Sequence, residues 1–523
     1  MTRQRSKKQR RTVEQTLATP SSQRFWHAES IRQNVALILF ALALAVVFVA
    51  IMEHPSIIRI LTRQSIPSGL WLRVLGEGSL GLFIFLITFV YLARLEERRR
   101  GTWKLLITFG VLALLFTGAG WAVVKFEKSP YLIPLSAASI LFRLLDSRRT
   151  ALVLSALLAL LLGLTLQIAA SVLHAANGVA HVPYAAVIAL FGGAALVALE
   201  LAQVRTRVVI LEAGVSISAL QIALLLAAWA AGLYKPVAPA TLTSDIAWAA
   251  VNGVAVGVAM TAGLPFIERL FSTTTEISLL ELSDQNLPLM RRMLLEAPGT
   301  YHHSFIVGTL SEAAAEVIGA NSLMARVGAY YHDIGKLNKP EYFVENSMPG
   351  VNPHDHLNPT MSSLIISAHP KDGVELAKDY GLPPAIVDII AEHHGNCLIE
   401  FFYQRSLNEN SGKKPPDDSY FRYPGPRPQT KEAGIVMLGD AVEAASRTLT
   451  APSAARLRRL VHELSMKRLL DGQFDDSGLT LHELDLAEES FVRTLCSLFH
   501  ARIRYPEQEG KKKATAVSGK RAQ

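Results

Sequence analysis

Eight apolar runs crowd into residues 35–265 and do not recur afterwards: Val35 to Met52, then about 78–95, 104–124, 130–146, 150–173, 183–203, 206–232 and 243–265. A hydrocarbon layer about 30 Å thick takes roughly 20 helical residues to cross, and its backbone groups must be bonded within the protein. The first half of the chain is therefore predicted to be a bundle of about eight membrane helices, and the short connections between several of the runs favour a compact one. The first run follows a basic segment but exceeds a signal-peptide core in length. It is followed by Glu53-His54-Pro55 rather than a small-residue cleavage site, so it reads as an uncleaved span.

Charge orients the bundle. The formal net charge of +8 comes from the ends: residues 1–34 carry eight Lys/Arg against two Glu, and residues 502–523 carry seven against two. Arg94 to Lys104 holds five basic residues, and Arg143, Arg148, Arg149, Arg205 and Arg207 mark the later turns on the same side, while 174–182 has none. The positive-inside rule then places both termini in the cytosol of a multi-pass protein of the cell membrane. No aromatic residues are interleaved with the tail lysines to make a base-stacking surface, so the partner the tails imply is the lipid bilayer and not a nucleic acid polymer. Within the spans, Glu212 and Asn252 read as interhelical bonding rather than a transport path.

Beyond the last run the composition changes. Residues 266–298 read as a connecting helical segment, 299–506 as a cytosolic domain and 507–523 as a second basic tail after the one at 1–34. Apolar residues recur at helical spacing in Phe305, Ile306, Leu310, Ala314 and Val317, in Ile386, Ile389 and Ile390, and in Ile435, Val436, Leu438 and Val442. Strand alternation is scarce, so this half is also predicted to be all-α. Two longer loops interrupt it, Pro340 to Pro359 and about 405–430, and loops of that length in a compact helical domain are often functional. The two cysteines, Cys397 and Cys496, lie far apart and have no CxxC partner, which excludes a disulfide framework and suits a reducing compartment.

Eight of the fifteen histidines fall within residues 300–394. Imidazole gains most from burial when its lone pair meets a metal, so an excess of this size points to a metal centre. A carboxylate has two oxygens and can bridge two cations. Asp333, beside His332, is the natural bridge, with further His and a second Asp sufficient for a dinuclear site. Of the adjacent pair His302 and His303 only one can face the centre of a helical bundle. The His354-Asp355-His356 triplet lies in a Pro-bounded loop and reads as a substrate-side or loop-stabilising element rather than a ligand set.

The ordered set His303, His332-Asp333, His369, His393-His394 and Asp440 resembles the two-metal variant of the HD-domain phosphohydrolases. The strings APGTYHHS, RVGAYYHDIGK, NPHDHLNP, HPKDGVELA, EHHG and RYPGPRPQTKEA, spread from about Phe271 to Arg447, resemble the seven-transmembrane HD family. Characterised members of that family hydrolyse cyclic di-AMP. The resemblance implies one metal held by His303, His332, Asp333 and Asp440, and a second by Asp333, His369, His393 and His394, each iron or manganese. It selects His303 over His302. It also implies a membrane-anchored metal-dependent phosphodiesterase that opens cyclic di-AMP to 5′-pApA. Asp333 is its central catalytic group and Lys336 a counter-charge for a phosphate oxygen. Arg422, Tyr423, Arg427 and Lys431 are the candidate substrate contacts. A hydrolase acting on cyclic di-GMP or another nucleotide, and a cyclic dinucleotide receptor without turnover, are the rival readings; a homodimer is compatible with the sequence and not required by it. One departure stands out: only about 25 residues separate the first two spans, where characterised relatives carry a large extracytoplasmic domain.

Overall fold

The computed structural model describes residues 39–53 apart from 41, 70–96, 103–173, 184–201, 206–347 apart from 237, 352–409, 415–449 and 452–500. The predicted basic tails and most of the segment between the first two spans lie outside these. The chain divides into two compact units, residues 1–271 and 272–523. Neither unit contains a named strand among the described residues, as the helical periodicity predicts.

The first unit holds α1 (Leu42–Met52), α2 (Leu70–Glu96), α3 (Trp103–Lys125), α4 (Leu135–Leu145), α5 (Arg148–Leu173), α6 (Tyr184–Glu200), α7 (Arg207–Ala230) and α8 (Pro239–Phe271). Each predicted apolar run contains a helix. Five of them, α2, α3, α5, α7 and α8, are long and apolar enough to cross a membrane, whereas α1, α4 and α6 are shorter. Large apolar side chains such as Phe83, Leu115, Leu160 and Val215 stay exposed on the outside of the unit, as a surface solvated by lipid requires. The run predicted at 130–146 is not one helix: Pro130 and Pro134 divide it into a 3-10 turn (Pro130–Leu132) and the eleven-residue α4. Proline cannot donate to the ladder, and the carbonyls it strands must find other donors in an apolar medium. Asn252 supplies one for Tyr131, donating Nδ2 to its carbonyl (2.7 Å), and also reaches the Ile133 carbonyl (3.2 Å), which accepts from Leu135 N–H as well, while its Oδ1 accepts from Gln221. Gly253 and Gly257, four residues apart on α8, face Gly214 on α7 so closely that a Cβ on Gly214 would lie 2.6 Å from the Gly253 carbonyl oxygen. Small residues at that spacing let two membrane helices touch backbone to backbone.

The second unit runs through α9 (Glu276–Leu282), α10 (Pro288–Glu296), α11 (Pro298–Val317), α12 (Ser322–Tyr331), α13 (Pro359–Asp379), α14 (Pro384–Glu392), α15 (Glu400–Glu409), α16 (Lys431–Ser446), α17 (Ala454–Leu470) and α18 (Leu481–His500). Proline in the first turn opens α10, α11, α13 and α14, where its missing N–H costs nothing. Asn321, Asn358, Thr430 and Ser453 cap α12, α13, α16 and α17 through their side-chain oxygens. Helix α16 is the axis of the unit. Its Ile435, Met437, Leu438 and Val442 pack with Leu310, Val461, Phe491 and Leu495, and each such side chain contributes about 1.5–3 kcal/mol on burial. A second cluster, with Met290, Met293, Val327, Ile386 and Ile390, supports the other side. The ends of α12 and α14 and the middles of α11, α13 and α16 are thereby held around one interior point.

Candidate metal centre

His303 on α11, His332 and Asp333 after α12, His369 on α13, His393 and His394 after α14, and Asp440 on α16 converge there. Six are buried and His394 is half-buried. His302 is exposed, so the helix itself makes the choice between the adjacent histidines. Two sets of donor atoms lie within 4.8 Å of one another: His303, His332 and Asp333, and Asp333, His369, His393 and His394. Asp333 belongs to both. Its Oδ2 lies 3.6 Å from His303 Nε2 and 3.2 Å from His332 Nε2, and its Oδ1 lies 3.3 Å from His369 Nε2 and 3.6 Å from His393 Nε2. One oxygen therefore faces each set. Asp440 joins the two from the opposite side, with Oδ1 3.1 Å from His303 Nε2 and Oδ2 3.4 Å from His394 Nδ1.

Local sequence dictates the ring orientations. The last carbonyls of a helix lack intrahelical donors. His332 sits just past α12 and donates Nδ1–H back to the Ala329 carbonyl (2.7 Å), and His393, just past α14, does the same to Ile390 (2.8 Å). His369 lies within α13, but Pro370 follows it and cannot donate to the Ile366 carbonyl. That carbonyl is free to accept His369 Nδ1–H at 2.7 Å. In all three rings Nδ1 carries the proton and the Nε2 lone pair turns inward. His303 is fixed differently, through Nδ1 to Glu443 Oε2 at 2.6 Å, and Glu443 in turn pairs with Arg447.

Electrostatics fit a cation. Burial would push Asp333 upward, but His332 and Lys336 hold its carboxyl well below the usual range. Asp440 is likewise depressed against burial, by the His303 hydrogen bond and by His394. Burial lowers His393 to about 4 and His394 well below the ordinary imidazole value, leaving both neutral with a lone pair available. Burial would also lower His303, yet Asp440 and Glu443 hold it up at about 9, so a metal arriving there displaces a proton. His332 Nε2 and Asp333 Oδ1 are buried without a hydrogen-bond partner, and Asp333 Oδ2 has the Lys336 ammonium beside it at 2.7 Å. Buried polar atoms are almost always satisfied, and divalent metals would satisfy the two that are left.

Lys336 lies 2.7 Å from Asp333 Oδ2 and 2.7 Å from Glu345 Oε1, and its ammonium stands over the Phe343 ring. Those carboxylates outweigh burial and raise its pKa. Of the four candidate substrate contacts, Tyr423 reaches the histidines, stacked on His394 with ring centroids 4.2 Å apart. Arg422 pairs with Asp418 and Asp471, Arg427 with Asp475, and Lys431 with Glu483. The His354 ring donates Nε2–H to the Tyr342 carbonyl, and its own carbonyl accepts from Arg405; the triplet stabilises its loop. Cys397 is buried, its thiol pushed up to about 11 by burial.

Sequence reasoning missed Glu443 and Glu345. Glu443 stands three residues after Asp440, on the same face of α16, and that spacing was a usable signal. Removing the carboxylate that orients a ligating imidazole typically weakens metal binding or activity 10–100-fold. Glu443→Gln is therefore expected to lower the affinity of the His303 side by that factor, read as manganese bound at limiting metal.

A helical membrane unit followed by a helical unit built around a buried His/Asp cluster defines a membrane protein with the donor set of an HD domain. Residues 71–275 match the model of the family described as 7TM receptor with intracellular HD hydrolase, and residues 300–445 match the HD domain. Over these two stretches the chain is similar to those families. It is 37% identical over 441 residues to the cyclic-di-AMP phosphodiesterase PgpH of Bacillus subtilis, an alignment covering 83% of this chain and 60% of that protein. It is 44% identical over 246 residues to the PgpH of Listeria monocytogenes, covering 47% of this chain and 34% of the relative. The chain thus spans between a third and three-fifths of the length of these relatives. The crystal structure of the L. monocytogenes PgpH HD domain in complex with cyclic-di-AMP is 44% identical, with a TM-score of 0.39, covering 41% of this chain and 100% of that one.

Proposed function

We propose that the chain is a membrane-anchored phosphodiesterase whose HD unit uses two divalent metals, manganese or iron, to hydrolyse cyclic di-AMP to 5′-pApA at the cytosolic face of the membrane. The observation that carries this reading is Asp333, with one oxygen turned to His303 and His332 and the other to His369 and His393. His303, His332, Asp333 and Asp440 would hold one metal, and Asp333, His369, His393 and His394 the other. The mixed nitrogen and oxygen donors suit either ion. Such a pair supplies the Lewis acidity that activates water for attack on phosphorus and stabilises the leaving oxygen.

The protein's own groups do the rest. The three Nδ1–H bonds to backbone carbonyls hold imidazoles in the ligating tautomer, and Glu443 does so for His303. Lys336, held by Glu345, sets a positive charge beside Asp333 for a phosphate oxygen to meet. Tyr423 offers a ring face to an adenine next to the centre, while Arg422, Arg427 and Lys431 line the rim through their paired guanidinium and ammonium groups. That PgpH relatives are named cyclic-di-AMP phosphodiesterases favours adenine.

The test is a nucleotide panel on the full-length protein, purified in detergent, stripped with chelator and reloaded with manganese or iron(II). Cyclic di-AMP is expected to yield 5′-pApA only after reloading. Faster cleavage of cyclic di-GMP would move the assignment to that messenger, and tight binding with no product would make the protein a receptor.

A further inference from the structure

The turn that carries His393 and His394 is tied down by residues about 75 positions later in the chain. It ends in Gly395 and Asn396. The Asn396 N–H donates to Gln473 Oε1 (3.2 Å), its side-chain oxygen accepts from Gln473 Nε2 (2.6 Å) and Arg427 Nε (3.4 Å), and its carbonyl accepts from Arg422 Nη1 (3.0 Å). Gln473 Nε2 is anchored by Asp471 Oδ2 at 2.8 Å, and Asp471 also pairs with Arg422. Gln473 is completely buried. Its amide is matched on both ends, which fixes its orientation; an apolar side chain would fill the same space without any of these bonds. Gly395 adopts φ +51°, and a Cβ there would lie 2.3 Å from Gln473 Oε1, so the turn and the amide are packed against each other with no room for a side chain.

The same network reaches the Tyr423 loop. Arg422 bridges Asn396 and Asp471, Leu398 pairs with Arg422 in an antiparallel bridge, and Tyr423 N–H donates to the Cys397 carbonyl at 3.0 Å. Tyr423 then stacks on His394. None of these bonds involves His303 or His332, which stand on α11 and beyond α12.

We propose that Gln473, anchored by Asp471 and acting with Arg422, is a positioning residue for one half of the centre. It fixes the turn bearing His393 and His394 and, through that turn, sets the Tyr423 ring against His394, while the His303 and His332 half stands without it. The inference rests on the two-metal reading above.

The test uses full-length protein stripped with chelator and titrated with manganese chloride, with bound metal counted and exchange-coupled manganese pairs read by electron paramagnetic resonance. Gln473→Met conserves volume and removes the hydrogen bonds. It is expected to keep one manganese at unchanged affinity and to bind the second about 10–100-fold more weakly, with the coupled-pair signal lost at limiting metal and kcat for cyclic di-AMP lowered by the same order. Asp471→Asn, which only loosens the anchor and preserves the fold, should weaken the same metal to a smaller extent. Two equally tight manganese ions in Gln473→Met would overturn the proposal, and so would loss of both metals together with a lowered unfolding temperature. Fewer than two manganese in the unsubstituted protein would instead remove the two-metal reading, a result visible before any substitution is made.

Discussion

Asp333→Asn is expected to bind neither of the two proposed metals tightly and to lose the proposed cyclic di-AMP hydrolysis by about a thousandfold or more, on the premise that a two-metal site activates both the entering and the leaving oxygen. Asparagine matches aspartate in shape, but its amide has a single oxygen, no charge, and an NH2 group that would point at one set of imidazoles. Asp333 is the only residue common to both sets of converging donors among the described residues, so the damage should be shared and not confined to one metal. Lys336 would also lose its partner at 2.7 Å; removing one partner of a buried ion pair costs up to about 3–5 kcal/mol, and Glu345, 2.7 Å from the ammonium, offsets part of that here. The measurement is metal content together with product formation. Full turnover with two bound ions would remove the bridging role.

The second large effect is expected at Gly335, which follows the His-Asp pair in the 3-10 turn Ile334–Asn338. There the backbone of this turn lies against α13. A Cβ at position 335 would sit 1.9 Å from the His369 carbonyl oxygen and 2.5 Å from the Gly373 nitrogen. Real contacts never come so close, and both obstacles are backbone, so either the turn or α13 must move. Asp333 and His369 lie on the two sides of that contact. Gly335→Ala is expected to destabilise the HD unit by roughly 3 kcal/mol or more, at the upper end of overpacking costs, and to separate the donors of the two metals. Gly319→Ala is the control. Gly319 ends α11 at φ +69° with nothing within 4 Å of its Cβ position, so alanine there meets only the left-handed backbone penalty of about 1–2 kcal/mol. Thermal unfolding and manganese binding of both variants distinguish a steric contact at the centre from a general intolerance of alanine.

The apolar runs located eight helices because membrane burial is a local property of twenty consecutive residues. They could not show that Pro130 and Pro134 would shorten the fourth to α4, since that outcome depends on Asn252, 121 residues beyond Tyr131, being available to take the freed carbonyl. The histidine order was legible for a similar reason: imidazoles are rare, and a run of eight is visible without a fold. His369-Pro370 even contained the cause of its own orientation. Glu345 gave no such signal. Its role depends on Lys336 reaching back across nine residues of irregular chain. The cationic candidates for substrate contact were legible as charge but not as geometry. Arg422, Arg427 and Lys431 find carboxylates at Asp471, Asp475 and Glu483 that lie about fifty positions away and become neighbours only when α17 and α18 fold back over the loop.

By itself, then, the amino-acid sequence determined an all-helical chain, membrane-bound in its first half, with imidazole and carboxylate donors in the second. Those are consequences of residue type and short-range period. What only the tertiary structure decided is which oxygen of Asp333 faces which histidines, and which distant side chains hold them there. Donors on three helices and just past the ends of two more, from His303 to Asp440, share no local register, and the distances between them are set by how packed cores around α16 fix the crossing of those helices.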